Sequence, residues 1–213
     1  MKLLRSQSAD GLWRQAQTLR QRRARGKALP RLVFFTDPAR TPDPDAIVAR
    51  LPRGSGVVYR AFGAPGAVAV GRRLARIAHR RGLLLLAGAD PRLAAAIGAD
   101  GVHLPERLAT RAYGLRAVRR DWLVTAAAHS APAIVRARLA GVDAVFLAPV
   151  FASASRSAGR PLGPVRFSAL VARAGLPVYA LGGVDSATAR RIGRSGAAGL
   201  AAVGALLGDE ART

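Results

Sequence analysis

Short runs of aliphatic and β-branched residues alternate along this chain with stretches in which alanine and arginine recur at helical spacing. The runs at 32–36, 56–60, 83–87, 101–104, 123–127, 144–148, 177–181 and 199–203 predict strands. Helices are expected at 43–51, 67–80, 91–97, 107–119, 131–140, 165–173 and 186–194. Three joints echo one another. Ala96-Ile97-Gly98-Ala99-Asp100-Gly101-Val102, Leu139-Ala140-Gly141-Val142-Asp143-Ala144-Val145 and Arg194-Ser195-Gly196-Ala197-Ala198-Gly199-Leu200 each end a helix on glycine and start a strand. Eight strands with a helix after nearly every one predict a parallel (β/α)8 TIM barrel, with an open doubly wound sheet as the alternative. Asp100 and Asp143 sit at strand starts, the stability face of such a barrel, and are read as structural.

Ahead of the first strand, Leu12, Trp13, Ala16 and Leu19 recur at helical spacing and predict an amphipathic helix over 10–24. Residues 1–31 carry nine Lys/Arg against Asp10 alone, so this basic extension has two readings. It touches RNA, an anionic membrane or a partner, or its Leu12/Trp13 stripe packs on the body with the arginines in water. The expected organisation is a basic helical extension at 1–31, a barrel at 32–208 and a tail at 209–213.

Composition narrows the possibilities. Half of the 213 residues are apolar and the mean hydropathy is +0.15, enough for a full core. No apolar run approaches the roughly 20 residues a membrane span needs, and the arginine-bearing N-terminus lacks a secretory signal. A cytoplasmic protein is expected. Cysteine is absent, which removes disulfides, thiolate nucleophiles and cysteine-held metals. The net charge of +22 comes almost wholly from arginine, since Lys2 and Lys27 are the only lysines. Beside so much alanine, glycine and proline, this reads as the codon bias of a GC-rich genome. It implies non-specific attraction for nucleic acid at most, because no helix-turn-helix, zinc finger or aromatic RNA-binding signature accompanies it.

In a barrel, chemistry belongs to the C-terminal strand ends and the loops after them. Those positions hold Thr36-Asp37, Arg60, Gly88-Ala89-Asp90, His103 to Glu106, and His129-Ser130. They continue with the stretch from Pro149 to Gly163, then Gly182-Gly183, then Val203-Gly204. Bare glycine backbone after the seventh and eighth strands suits an anion, with N–H groups near a helix start pointing at it. The long sixth loop reads as a lid, where Ser153, Ser155 and Arg156 would wrap a phosphate or diphosphate. His79, among arginines on a helix, is expected in water. His103 faces either into the barrel or outward, and His129 is read first as a structural hydrogen-bonding group.

From 32 to 206 the chain resembles thiamine phosphate synthase and its relative, the TenI-type thiazole tautomerase. The likeness rests on Phe35-Thr36-Asp37, Gly98-Ala99-Asp100-Gly101-Val102-His103-Leu104, Ala128-His129-Ser130 and Ala148-Pro149-Val150-Phe151-Ala152-Ser153-Ala154-Ser155-Arg156. Leu181-Gly182-Gly183-Val184 and Gly196-Ala197-Ala198-Gly199-Leu200-Ala201-Ala202-Val203 extend it. It implies a transferase of thiamine biosynthesis that joins an aminopyrimidine diphosphate to a thiazole phosphate and releases diphosphate with Mg²⁺. It further implies that Gly183, Val203 and Gly204, beside Gly182, hold the thiazole phosphate. Ser153, Ser155 and Arg156 would replace the family's Thr-x-Thr-Lys on the diphosphate, and Arg60 falls on the arginine of Gln-x-Arg-x-Lys. His103, His129 and Ser130 are expected substrate contacts.

The departures are equally specific. In Gln-x-Arg-x-Lys the glutamine is Val58 and the lysine is Phe62; the Asn-Asp after the third strand is Gly88-Ala89. The magnesium aspartate after the fourth strand falls on Leu108, and the fifth-strand serine is Ala127. Alanine and leucine give Mg²⁺ no oxygen ligand, leaving Asp90 and Glu106 as substitute candidates. The tautomerase histidine falls on Pro149, so that reaction lacks its proton carrier. Two functions are therefore expected: a transferase with a divergent diphosphate and Mg²⁺ site, or a barrel that binds a small phosphate without turnover.

Overall fold

The computed structural model describes residues 7–153 and 159–204. An N-terminal helix, α1 (Gln7–Gln17), leads into a two-stranded hairpin, β1 (Arg23–Ala24) and β2 (Lys27–Ala28). The barrel units then follow: β3 (Leu32–Phe35), α2 (Pro44–Arg50), β4 (Gly56–Tyr59), α3 (Ala67–Arg80), β5 (Leu84–Gly88) and α4 (Pro91–Ile97). Next come β6 (Gly101–Leu104), a 3-10 helix (Glu106–Arg111), α5 (Ala112–Val118), β7 (Leu123–Ala128), α6 (Ala131–Leu139) and β8 (Ala144–Leu147). The described chain ends with α7 (Gly163–Arg173), β9 (Val178–Ala180), α8 (Ser186–Arg190) and β10 (Gly199–Ala202). Strands β3 to β10 pair in parallel and in order, and β10 pairs with β3 to close the ring. This is a (β/α)8 barrel, and closure removes the open-sheet alternative.

The strands are buried on both faces, which is why they read as continuous apolar runs without alternation. Val33, Phe35, Val58, Leu86, Phe146, Tyr179 and Ala201 fill the interior. Leu32, Phe34, Val57, Leu85 and Leu147 point the other way, into the layer shared with the helices. Asp100 and Asp143 stitch the strand starts. Asp100 accepts from the Leu85 amide at 2.9 Å and sits 3.2 Å from His79 Nε2. Asp143 accepts from the Val124 amide at 2.7 Å, pairs with Arg116, and meets Arg25 Nε at 2.9 Å. The half-exposed His79 is thus a hydrogen-bonding neighbour of Asp100, not merely solvated.

Three helices differ from expectation. The helix expected at 10–24 runs instead over Gln7–Gln17, and the chain after it forms the hairpin, whose turn places Arg25 and Gly26 at positive φ angles of 50° and 75°. The helix expected at 107–119 divides into a 3-10 turn and α5, which brings Glu106 to the amide of His129 on the next loop. Beyond α8 the chain continues in i→i−3 turns as far as Ser195. No helix among the described residues is long and apolar enough to cross a membrane.

Leu12 and Ala16 of α1 are fully buried in the main core, packed beside α8. The hairpin closes the lower end of the barrel: Lys27 Nζ donates to the Asp121 carbonyl at 3.1 Å and Tyr179 Oη donates to the Pro30 carbonyl at 2.6 Å. If α1 is part of the core, Leu12→Ala leaves a cavity and lowers Tm by roughly 5–15 °C in a thermal melt. An unchanged Tm would place α1 outside the cooperative unit.

Candidate active site

The upper strand ends open on a cavity of about 1280 Å³. Arg60, Asp90, His103, His129, Ser153, Gly182, Gly183, Val203 and Gly204 line it, whereas Glu106 and Ser130 do not. Ser155 and Arg156 lie outside the described residues.

One wall is built from peptide groups. Gly182 and Gly183 have φ of 85° and 63°, and a Cβ on Gly183 would lie 2.2 Å from the Ala152 carbonyl oxygen, so only glycine fits. The Gly182 carbonyl accepts from the Phe151 amide at 3.0 Å, and the Gly183 carbonyl accepts from Thr188 Oγ1 at 2.9 Å. In a trans peptide the next N–H points opposite to the carbonyl. Anchoring these two carbonyls therefore aims the amides of Gly183 and Val184 the other way, and neither has a hydrogen-bond partner among the described residues. Two adjacent unpaired donors form a small anion nest. The expected help from a helix start is missing: the Asp185 carboxylate takes the first amides of α8, those of Ala187 and Thr188, at 2.9 and 2.8 Å.

The floor is aromatic. His103 points into the barrel, its Nδ1 3.0 Å from Thr125 Oγ1, its ring edge-on to Phe35 and Phe146 at 5.1 Å. Burial, reinforced by the positive charge of Arg60, pushes its imidazole down to about 3, so the floor is uncharged near neutral pH. At one side of the mouth His129 Nδ1 lies 2.7 Å from the Ala148 carbonyl. A carbonyl only accepts, so Nδ1 carries the proton in neutral His129 and Nε2 is its acceptor.

Opposite, Arg60 is tightly held. Its Nε donates to the Thr36 carbonyl at 2.6 Å and its Nη2 to Asp37 at 3.1 Å. Arg40 Nη2 reaches the same carboxylate oxygen at 2.9 Å. Burial raises the Asp37 carboxyl, but the hydrogen bond and charge of Arg40 and the charge of Arg60 outweigh it and hold Asp37 below its ordinary value. Burial likewise lowers Arg60, against the pull of Asp37. Asp37 and Arg40 were not singled out as a pair in the sequence; their spacing of three in the loop after β3 was the available signal.

The remaining expected residues have local tasks. Ser130 caps α6 by accepting from the Ala133 amide at 3.3 Å. Asp90 caps α4, accepting from the amides of Arg92 and Leu93 at 2.8 and 3.0 Å. Glu106 accepts from the His129 amide at 2.9 Å and pairs with Arg136 at 3.0 Å. Asp90 and Glu106 were the substitute candidates for a cation, and each is committed to backbone of a different loop. No group of three or more metal-ligating side chains exists among the described residues. The residues present do not fit Mg²⁺, which requires several hard oxygens facing one point.

The buried imidazole has a measurable consequence. An unfolded histidine takes up a proton near 6.5, whereas His103 does so only near 3, so His103 makes stability fall as pH drops from 6.5 toward 3. The ¹⁵N shifts of His103 should stay those of a neutral ring at pH 5. A His103 titration near 6.5 would refute the buried floor.

Comparison with known proteins agrees with this architecture. A family model described as thiamine monophosphate synthase matches residues 32–206. The thiamine biosynthesis bifunctional protein ThiM/ThiE of Symbiobacterium thermophilum is 32% identical over 169 residues, covering 78% of this chain and 35% of that protein. A thiamine-phosphate synthase of Synechococcus sp. is 28% identical over 187 residues, 84% of this chain and 53% of its own length. The chain thus spans about a third to about half the length of these curated relatives. Among solved structures, a thiamine phosphate pyrophosphorylase from Pyrococcus furiosus shares the fold, with a TM-score of 0.73 at 21% identity over 86% of this chain and 91% of that one. By sequence over most of its barrel, this chain belongs to the thiamine monophosphate synthase family.

Proposed function

We propose that the barrel is a thiamine phosphate synthase-like transferase, acting in the cytoplasm, with a rebuilt diphosphate corner. The observation that carries this reading is the pair of amides at Gly183 and Val184 on the cavity wall, unpaired among the described residues, a nest for the phosphate of a thiazole phosphate. Val203 and Gly204 border the same wall across the β10 end. In the reaction, the bond between the aminopyrimidine's methylene carbon and the diphosphate oxygen breaks first, diphosphate leaving with the bonding electrons, and the thiazole nitrogen then attacks that carbon. The protein's own share is positioning and charge stabilisation. The amide nest would orient the nucleophile, the neutral floor would keep both rings in an uncharged surrounding, and Arg60, Ser153, Ser155 and Arg156 are the groups assigned to stabilise the departing diphosphate.

A second reading, binding of a small phosphate without turnover, is favoured by one observation: Asp90 and Glu106 are both spent on loop backbone. The high positive charge adds non-specific attraction for nucleic acid under either reading.

Calorimetry with thiazole phosphate, without added metal, tests the shared part. Wild-type protein is expected to bind it, and Gly183→Ala to weaken binding about a hundredfold by displacing two charge-assisted donors. A melt of the variant checks that it folds, and an unchanged affinity in a folded variant rejects the nest. Adding the aminopyrimidine diphosphate then separates the readings: formation of thiamine phosphate supports the transferase, and binding without product supports the second.

A further inference from the structure

The loop after β4 contains a residue that turn chemistry does not explain. Ala61 to Ala64 form a tight turn closed by the Ala64 amide on the Ala61 carbonyl at 2.9 Å. Its two central residues, Phe62 and Gly63, both have positive φ, 49° and 77°. Such turns select Asn, Asp or Gly at both positions, because a Cβ is strained there. A phenylalanine at the first position is strained, and it gains no burial in return: Phe62 is 72% exposed. Its side chain lines the mouth of the cavity. An exposed aromatic held in an unfavourable backbone conformation at the edge of a binding cavity marks function.

The surroundings show what kind. The guanidinium of Arg60 lies 5.3 Å from the Phe62 ring centre and 5.7 Å from that of Phe35. The same guanidinium is tied by its other bonds to Thr36 and Asp37. Its stem passes over Gly88, where a Cβ would stand 3.0 Å from Arg60 Cγ. Asp37 is shared between Arg60 and Arg40, so positive charge remains at this corner, and beside it the cavity lining includes the exposed Phe62 ring. A ring of this kind recognises another flat ring by stacking, with little demand on its hydrogen-bonding pattern.

We propose that Phe62 is a specificity-determining platform on which the planar heteroaromatic ring of the ligand, an aminopyrimidine, stacks at the cavity mouth. Recognition of the ring at this corner runs through Phe62, beside the charge that Arg60 supplies. The inference rests on the proposed reading of the cavity as a site for heteroaromatic phosphate ligands.

The test uses the full chain and two probes: the phosphate-free aminopyrimidine alcohol for the platform, and inorganic phosphate for the amide nest. Wild-type protein is expected to bind both. Phe62→Ala should weaken the alcohol at least about tenfold and leave phosphate unchanged, whereas Phe62→Trp should hold the alcohol within about threefold. Phe62→Asn, which suits the turn, should lose the alcohol and melt at the same or a higher temperature. Equal affinity of wild type and Phe62→Ala for the alcohol overturns the proposal. A lower Tm in Phe62→Asn overturns it too, since the ring would then be serving the fold. Phosphate binding without alcohol binding sinks this inference alone, while failure of both probes sinks the reading beneath it as well.

Discussion

Closure of the parallel ladder between β10 and β3 is the constraint from which the site follows. Once the ring is shut, every strand delivers its C-terminal end to one rim, and loops distant in sequence become neighbours. The β3 loop with Asp37, the β4 loop with Arg60 and Phe62, and the β9 loop with Gly183 share a cavity for this reason alone. The interior ring of Phe35, Phe146 and Tyr179 gives that cavity a dry lower boundary, which is what keeps His103 neutral.

On this rim two walls are built from different materials. One is peptide, its amides at Gly183 and Val184 oriented by the hydrogen bonds that the Gly182 and Gly183 carbonyls accept. The cation side is side chain, and there a single carboxylate, Asp37, gathers two guanidinium groups. Lower down, Asp143 does the same with Arg25 and Arg116. A chain with 34 basic and 12 acidic residues has few counter-charges to place, and several are found where they hold arginines in fixed poses.

Much of the fold was legible because its signals are local. The barrel helices α3 and α4 begin and end where the alanine- and arginine-rich periodicity does, and the Gly98 cap lies at the joint that sequence comparison within the chain had isolated. The hairpin was not legible, since an Arg-Gly turn following an amphipathic stripe resembles a continuing helix. In the site, the glycine loop and Arg60 could be found from strand ends, but their states could not. Whether Arg60 is open to a ligand depends on Asp37, and whether Asp90 can bind a metal depends on the amides of Arg92 and Leu93; both are facts of geometry. The direction of His103 was undecidable for the same reason, as strands buried on both faces carry no alternation to read.

The stopper formed by the N-terminal hairpin, Leu29 and the Tyr179–Pro30 bond bears on traffic through the barrel. Beneath the aromatic layer only about 20 Å³ of space remains, room for roughly one water. Small molecules therefore arrive and depart on the same side. In a vessel with one opening the loops of that rim are the whole route, so any occupant of the cavity enters and leaves past the same side chains.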